Sequence, residues 1–290
     1  MRPPAGSIEM ITCTLSWGTI GVIVKQVTLS SQVMAFFRVL LGAAVVAAWL
    51  ALRHRLGVLR PHVRMPLLIA SGAILAGHWW LEFEAFKRLD VGSAILIVFI
   101  GPVLATALAP IVLGERVRPL ALGALASAFG GIALIAVPDV STIDAVGIAA
   151  ALGSAVLFGA VLLAGKALAS HYEPQALVVW QLGIAMIVLA PVLAGASGEQ
   201  IARATPSLLL LGLVLTGFLG ILFFRALRAL EAQQISVLFY LEPASAVLYA
   251  WVLLGETPSS ADVGGGALIV AAGLAIILGE RRPAAPAPTP

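Results

Sequence analysis

A few side chains in this sequence could do chemistry in surroundings that hold little water. Glu242 stands about ten residues into an apolar stretch that begins at Ala232, roughly 15 Å along a helix at 1.5 Å per residue. A carboxylate at that depth costs about 2.5–3.5 kcal/mol on insertion scales, so it must face protein, where it can meet a cationic head group or carry a proton. Arg38 lies about two turns inside another apolar stretch. It could snorkel to the surface, pair with a carboxylate such as Glu242, or bind the carboxylate of a substrate, and the sequence leaves the three open. His78 sits near the middle of the stretch 66–86 and suits a polar cavity wall or a proton site. No second His or carboxylate falls at ligand spacing on its helix face, so no metal is expected. The single Cys13 excludes an internal disulfide and a Cys-based metal site.

The aromatic residues bear on what such a site would hold. Trp49 and Trp251 fit the interfacial belts in which Trp normally sits. Trp17, Trp79 and Trp80 are near mid-depth, with Phe99 and Phe158 beside them and Tyr240 two residues from Glu242. Several rings at one depth suit a cavity that stacks flat, ring-bearing ligands and attracts an ammonium group. Glu82 and Glu84, next to Lys87 and Arg88, read as a solvated rim with gating salt bridges.

The elements that must position these groups are transmembrane helices. Hydrophobic residues make up 61% of the 290 and charged residues 11%, against roughly 25% charged in soluble domains. Mean hydropathy is +1.07. The chain is expected to be an all-α integral membrane protein. Ten spans of about 20 residues are predicted near 8–26, 31–52, 66–86, 91–114, 117–137, 144–168, 175–195, 206–228, 232–254 and 260–279. Signatures of nucleotide-binding loops, zinc proteases and serine hydrolases are missing, and no soluble ATPase domain fits the short loops. No enzyme activity and no cofactor are expected. The positive charges set the orientation: with the N-terminus inside, twelve Lys/Arg face the cytoplasm and Lys25, Lys87, Arg88 and Arg203 face out. Both termini are then cytoplasmic.

The sequence also contains itself twice. Pro102, Gly114, Glu115 and Gly123 recur as Pro243, Gly255, Glu256 and Gly264, each 141 residues on, and Trp17-Gly18…Lys25 recurs as Phe158-Gly159…Lys166. Five spans per copy is an odd number, so the second copy enters the membrane from the opposite face. The expected organisation is two inverted five-helix repeats, 1–138 and 139–282, followed by a Pro/Ala-rich disordered tail, 283–290. Inverted repeats are built for alternating access to a site at mid-membrane. Pro102 and Pro243 each remove a backbone donor near mid-span and are expected hinges. The copies disagree at one informative place: Gly101 stands where the second has Glu242.

Trp-Gly followed by Lys in the first helix, and Pro with Gly-Glu in each half, resemble the drug/metabolite transporter superfamily, EamA branch. His78-Trp79-Trp80 and the mid-membrane aromatics are most similar to its aromatic amino-acid exporters. The resemblance implies a multi-pass exporter of the bacterial inner membrane, acting by alternating access on a small-molecule substrate, aromatic amino acids first. Other amino acids (threonine-like), nucleosides or cationic drugs on the same fold are the alternative, and a pore or scramblase a more distant one. One chain holds both halves, so a monomer is sufficient and a homo-oligomer is compatible. The expected cavity residues are Trp17, His78, Trp79, Phe99, Phe158, Tyr240 and Glu242, with Pro102 and Pro243 as hinges and Arg38 as a buried charge partner. No nucleic-acid partner is expected.

Overall fold

The computed structural model describes residues 6–25, 27–89, 91–136, 144–195, 197–255 and 257–279. The boundary between the two expected halves, the tail 283–290 and Glu256 lie outside them. Among the described residues the fold is all-helical, as it must be if the chain crosses lipid with every backbone donor and acceptor satisfied internally. The elements are α1 (Ser7–Trp17), α2 (Thr19–Lys25), α3 (Ser31–Leu52), α4 (Met65–Arg88), α5 (Val91–Val98), α6 (Ile100–Val112), α7 (Pro119–Ala136), α8 (Ala145–Ala169), α9 (Pro174–Leu189) and α10 (Gly198–Leu209). A π-helical segment, Leu210–Phe218, leads into α11 (Leu219–Ala229), followed by α12 (Ala232–Phe239), α13 (Leu241–Leu254) and α14 (Ser260–Gly279).

Among the described residues, seven helical stretches are long and apolar enough to cross a membrane. The other apolar stretches depart for visible reasons. The first is interrupted at Gly18. α4 carries His78, Glu82 and Glu84. The apolar run of α7, Pro119–Ile135, is short. The eighth predicted span begins earlier than its apolar core: it is a continuous helical stretch from Gly198 to Ala229.

The helix breaks explain part of the sequence pattern. α5 gives way to α6 at Phe99, and α12 to α13 at Tyr240. These breaks stand 141 residues apart, each three residues before its proline, Pro102 or Pro243. Gly114 and Gly255 close the two broken helices with φ of 71° and 74°, a left-handed conformation that favours glycine. The aromatic-Gly pairs mark close crossings. A Cβ on Gly159 would lie 3.0 Å from the Gly101 carbonyl oxygen, and one on Gly18 would lie 3.0 Å from the Glu242 carbonyl oxygen. α8 thus rests on α6, and the α1–α2 junction on α13, at corresponding points.

α4 packs along α8, α7 along α14, and α3 against α9 and the π-helical segment. The outer faces are apolar: Ile111 is 82% exposed and Val252 65%, as lipid contact requires. Trp80 is on this outer surface, 42% exposed, and does not join the mid-membrane ring cluster expected from its depth alone, because its neighbour Trp79 takes the inward direction of α4.

Candidate functional site

A cavity of about 440 Å³ lies inside the bundle, between α1–α4, α8, α9, the π-helical segment and α11–α13. Trp17, His78, Trp79, Phe99, Phe158, Glu242, Arg38 and Pro243 all line it. Its size falls within the range of small-molecule pockets, about 300–1,000 Å³.

The aromatic residues form a connected set. Trp17 stacks on Phe239 with centroids 5.7 Å apart and meets the edge of Phe223 at 5.5 Å. Phe239 stands edge-on to Phe158 at 5.2 Å, and Phe158 stacks on the His78 ring at 4.8 Å. These are the offset and edge-to-face arrangements that ring quadrupoles prefer. Three further hydrogen bonds fix the walls. Trp17 Nε1 donates to the Leu215 carbonyl at 2.7 Å. His78 Nδ1 lies 2.8 Å from Ser154 Oγ. Arg38 Nε donates to Thr216 Oγ1 at 2.7 Å, and its guanidinium carbon lies 4.8 Å from the centre of the Trp79 ring.

Two of these bonds end on the π-helical segment. A π-turn widens the helix and changes which carbonyls meet which donors, and such turns occur often at functional sites. Here Leu215 presents its carbonyl to Trp17. Thr216 Oγ1 donates to the Leu211 carbonyl, five residues back, at 2.8 Å, which leaves its oxygen to accept from Arg38.

One expected cavity residue is elsewhere. Tyr240 is fully buried and does not line the cavity. Its hydroxyl donates to the Phe99 carbonyl at 2.6 Å, tying together the two helix breaks. Tyr240 is the position 141 residues beyond Phe99, so corresponding places in the two copies touch. Pro102, expected as a hinge, is buried three residues past the break at Phe99 and is not among the cavity-lining residues. Glu82, read from the sequence as a solvated rim residue, instead lines the cavity with Arg38 and Glu242; the cavity reaches along α4 past Glu82 to Phe86. Glu84 does take the rim role, pairing with Arg88 at 2.7 Å, and Arg88 also meets Asp144 at 3.4 Å. The Gly147 and Val146 amides and Arg88 hold the Asp144 carboxyl below the ordinary carboxylate range. Phe223, Phe239 and Thr216 also line it. Thr216 gave no sequence signal, and the two Phe were lost among many apolar residues.

At one end of the bundle, past the last α8 residues that line the cavity (Val161 and Leu162), polar contacts tie three segments together. Lys166 pairs with Glu115 at 3.0 Å and donates to the Leu230 carbonyl. Glu115 also accepts from the Ala232 amide at 2.7 Å, and Arg118 pairs with Glu231 at 2.9 Å. Among the described residues no group of His, Cys, Asp and Glu could hold a metal ion.

A polytopic helical bundle around a cavity lined by aromatic rings, two carboxyl groups and a guanidinium has the features of a small-molecule site in a membrane protein. The model of the EamA-like transporter family matches the chain twice, over residues 4–137 and 145–279. The chain belongs to the EamA-like transporter family and is a multi-pass membrane protein. It is 30% identical to a probable terminal-alkyne amino-acid exporter of Streptantibioticus cattleyicolor, over 79% of this chain and 80% of that one. It is 29% identical to a riboflavin transporter of Rhizobium johnstonii, over 97% and 93%, and 30% identical to a threonine/homoserine exporter of Salmonella typhimurium, over 76% and 73%. A solved crystal structure shares the fold, with a TM-score of 0.83 at 20% identity, covering 97% of this chain and 100% of that chain.

Proposed function

We propose that this protein is a secondary exporter of aromatic amino acids, working by alternating access in a bacterial inner membrane with both termini cytoplasmic. The observation that carries the cargo class is the cavity itself. Trp17, His78, Trp79, Phe99, Phe158 and Phe239 give it ring-stacking walls, while Glu242 and Glu82 offer partners for an ammonium group. An amino acid with a flat side chain has both features. Relatives that carry amino acids support the class of cargo at the coarser level.

The alternating-access part rests on the duplication. The family matches begin 141 residues apart, the same offset as the recurring motifs and the helix breaks at Phe99 and Tyr240. Two inverted five-helix repeats, ten spans in all, account for that register. With the termini inside, the Lys166–Glu115 contacts lie on the cytoplasmic side and close it, and the cavity extends toward the outside past Glu82 and Phe86. Pro102 and Pro243 sit just beyond the two breaks and act as hinges, with Tyr240 as the tie between them.

The test is competition in proteoliposomes. Uptake of labelled phenylalanine is expected to saturate and to be inhibited by tryptophan and tyrosine at lower concentration than by threonine. Equal inhibition by threonine would remove the aromatic assignment and favour the competing reading, a threonine-like cargo on the same fold.

A further inference from the structure

Among the described residues, Arg38 is the one cationic side chain that lines the cavity, and its geometry separates the roles its sequence position leaves open. It does not snorkel outward. Its Nε is committed to Thr216 Oγ1, and its guanidinium carbon lies over the Trp79 ring. Among the described residues, no carboxylate forms an ion pair with it and no acceptor bonds its two terminal nitrogens, although Glu82 and Glu242 line the same cavity. A guanidinium carries five donors in a rigid fork that matches a carboxylate two bonds at a time. Here one nitrogen of that fork is anchored, and the side chain lines an open cavity bounded by aromatic rings.

Resting on the proposed amino-acid cargo, we infer that Arg38 is the clamp for the cargo's carboxylate and that Thr216, on the π-helical segment, is its positioning residue. Two carboxyl groups and one guanidinium line the cavity, so a zwitterion fits with its carboxylate on Arg38 and its ammonium toward Glu82 and Glu242. The π-turn has a role in this arrangement. It brings Thr216 Oγ1 to a place where it donates back to Leu211 and still accepts from Arg38, fixing the rotation of the fork. The copy 141 residues earlier has an uninterrupted α-helix over the matching residues 69–77 and Leu75 in the place of Thr216. It also has Arg38 itself, where the second copy has Val179. The clamp therefore exists once, built from one residue of each copy, and its contact changes when the two halves move against each other. Substrates without a carboxylate gain nothing from it, which makes Arg38 a selector for free amino acids over the corresponding amines.

The experiment compares phenylalanine with its decarboxylated amine, phenethylamine, in proteoliposomes of the full chain. The comparison is repeated with Arg38→Gln, Arg38→Lys, Thr216→Val and Thr216→Ser, each checked for a monodisperse, folded protein. Loss of a charge-assisted bidentate contact is expected to raise the apparent KM for phenylalanine about 10- to 100-fold in Arg38→Gln. Phenethylamine should stay within about threefold of the parent, on the same argument. Arg38→Lys keeps the charge but not the fork and should fall between. Thr216→Val should raise the phenylalanine KM with little change in kcat, and Thr216→Ser should restore it. Equal loss of both solutes in folded Arg38→Gln would overturn the inference in favour of a structural charge, as would no loss of either. If the parent protein carries no aromatic amino acid, the cargo reading fails separately. The same contrast is then made with threonine and 1-aminopropan-2-ol, and failure to prefer any amino acid over its amine in an Arg38-dependent way overturns the clamp as well.

Discussion

The close crossing at Gly18 is the sharpest mechanical commitment of the structure. A Cβ there would overlap Ser245 Oγ, lie 2.8 Å from the Ala246 amide nitrogen and 3.0 Å from the Glu242 carbonyl oxygen. The hydroxyl can turn away, but the two backbone atoms cannot, so Gly18→Ala must push α13 outward just where Glu242 enters the cavity. Overpacking of this kind costs about 1–3 kcal/mol, while Gly→Ala in a helix returns up to about 1 kcal/mol. The net effect expected is a destabilisation of roughly 1–2 kcal/mol from those two ranges. Gly264 is the internal control: nothing lies within 4 Å of a Cβ there, so Gly264→Ala keeps only the helix gain and is stabilising or neutral. In thermal unfolding of the two purified variants in detergent, followed by tryptophan fluorescence, Gly18→Ala should unfold earlier than the parent and Gly264→Ala no earlier. Phenylalanine flux should fall in Gly18→Ala alone. If Gly18→Ala unfolds no earlier than the parent and transports normally, the crossing of the α1–α2 junction and α13 is not as tight as described and the shape assigned to the cavity is wrong.

Other perturbations probe the remaining parts. Trp17→Ala removes a ring that stacks on Phe239 and a hydrogen bond to Leu215; it should raise the KM for phenylalanine more than for leucine, by about 10-fold given roughly 0.5–1.5 kcal/mol for each lost contact. Equal losses for both cargoes would reduce Trp17 to packing. Lys166→Ala breaks the pair with Glu115 and the bond to Leu230; a cysteine introduced at Phe224 on the cavity wall of a Cys13→Ser background should then react faster with a cytoplasmic-side maleimide, and an unchanged rate would count against these contacts as the inner closure. Asp144 caps α8 and its folded pKa is depressed, so its contribution is present above the ordinary value near 3.8 and is lost as pH falls through the lower folded value. Asp144→Ala should therefore lower thermal stability at pH 7 and have little further effect once the pH is below that window; a deficit that persists undiminished at acid pH would assign the loss to something other than the charged cap.

Much of the frame was legible in the sequence because membrane insertion leaves few choices. Apolar stretches became helices, and the repeated Pro, Gly-Glu and aromatic-Gly positions mark helix breaks, left-handed helix ends and close crossings. The ring-lined cavity was legible through Trp17, Trp79, Phe99 and Phe158, whose shared depth is countable. Depth alone does not give direction, however. Trp80 turns outward while Trp79 turns inward, and Tyr240 spends its hydroxyl on the Phe99 carbonyl in place of the cavity. Glu82 was misjudged for the same reason: its distance from the helix end was readable, but the extent of the cavity along α4 was not. The π-helical segment left no trace, since a change of hydrogen-bond register inside LLGLVLTGF alters no periodicity that so uniformly apolar a stretch could display. Thr216, and with it the setting of Arg38, was hidden there.

Alternating access requires a carrier whose cavity is exposed to one side at a time. Counterflow measures this: proteoliposomes preloaded with unlabelled phenylalanine are diluted into trace labelled phenylalanine. A carrier is expected to accumulate label transiently above its external concentration, with the overshoot growing with the preload and saturating. Label that only rises to equilibrium, at a rate proportional to concentration and indifferent to the preload, would contradict alternating access and make the cavity part of a pore.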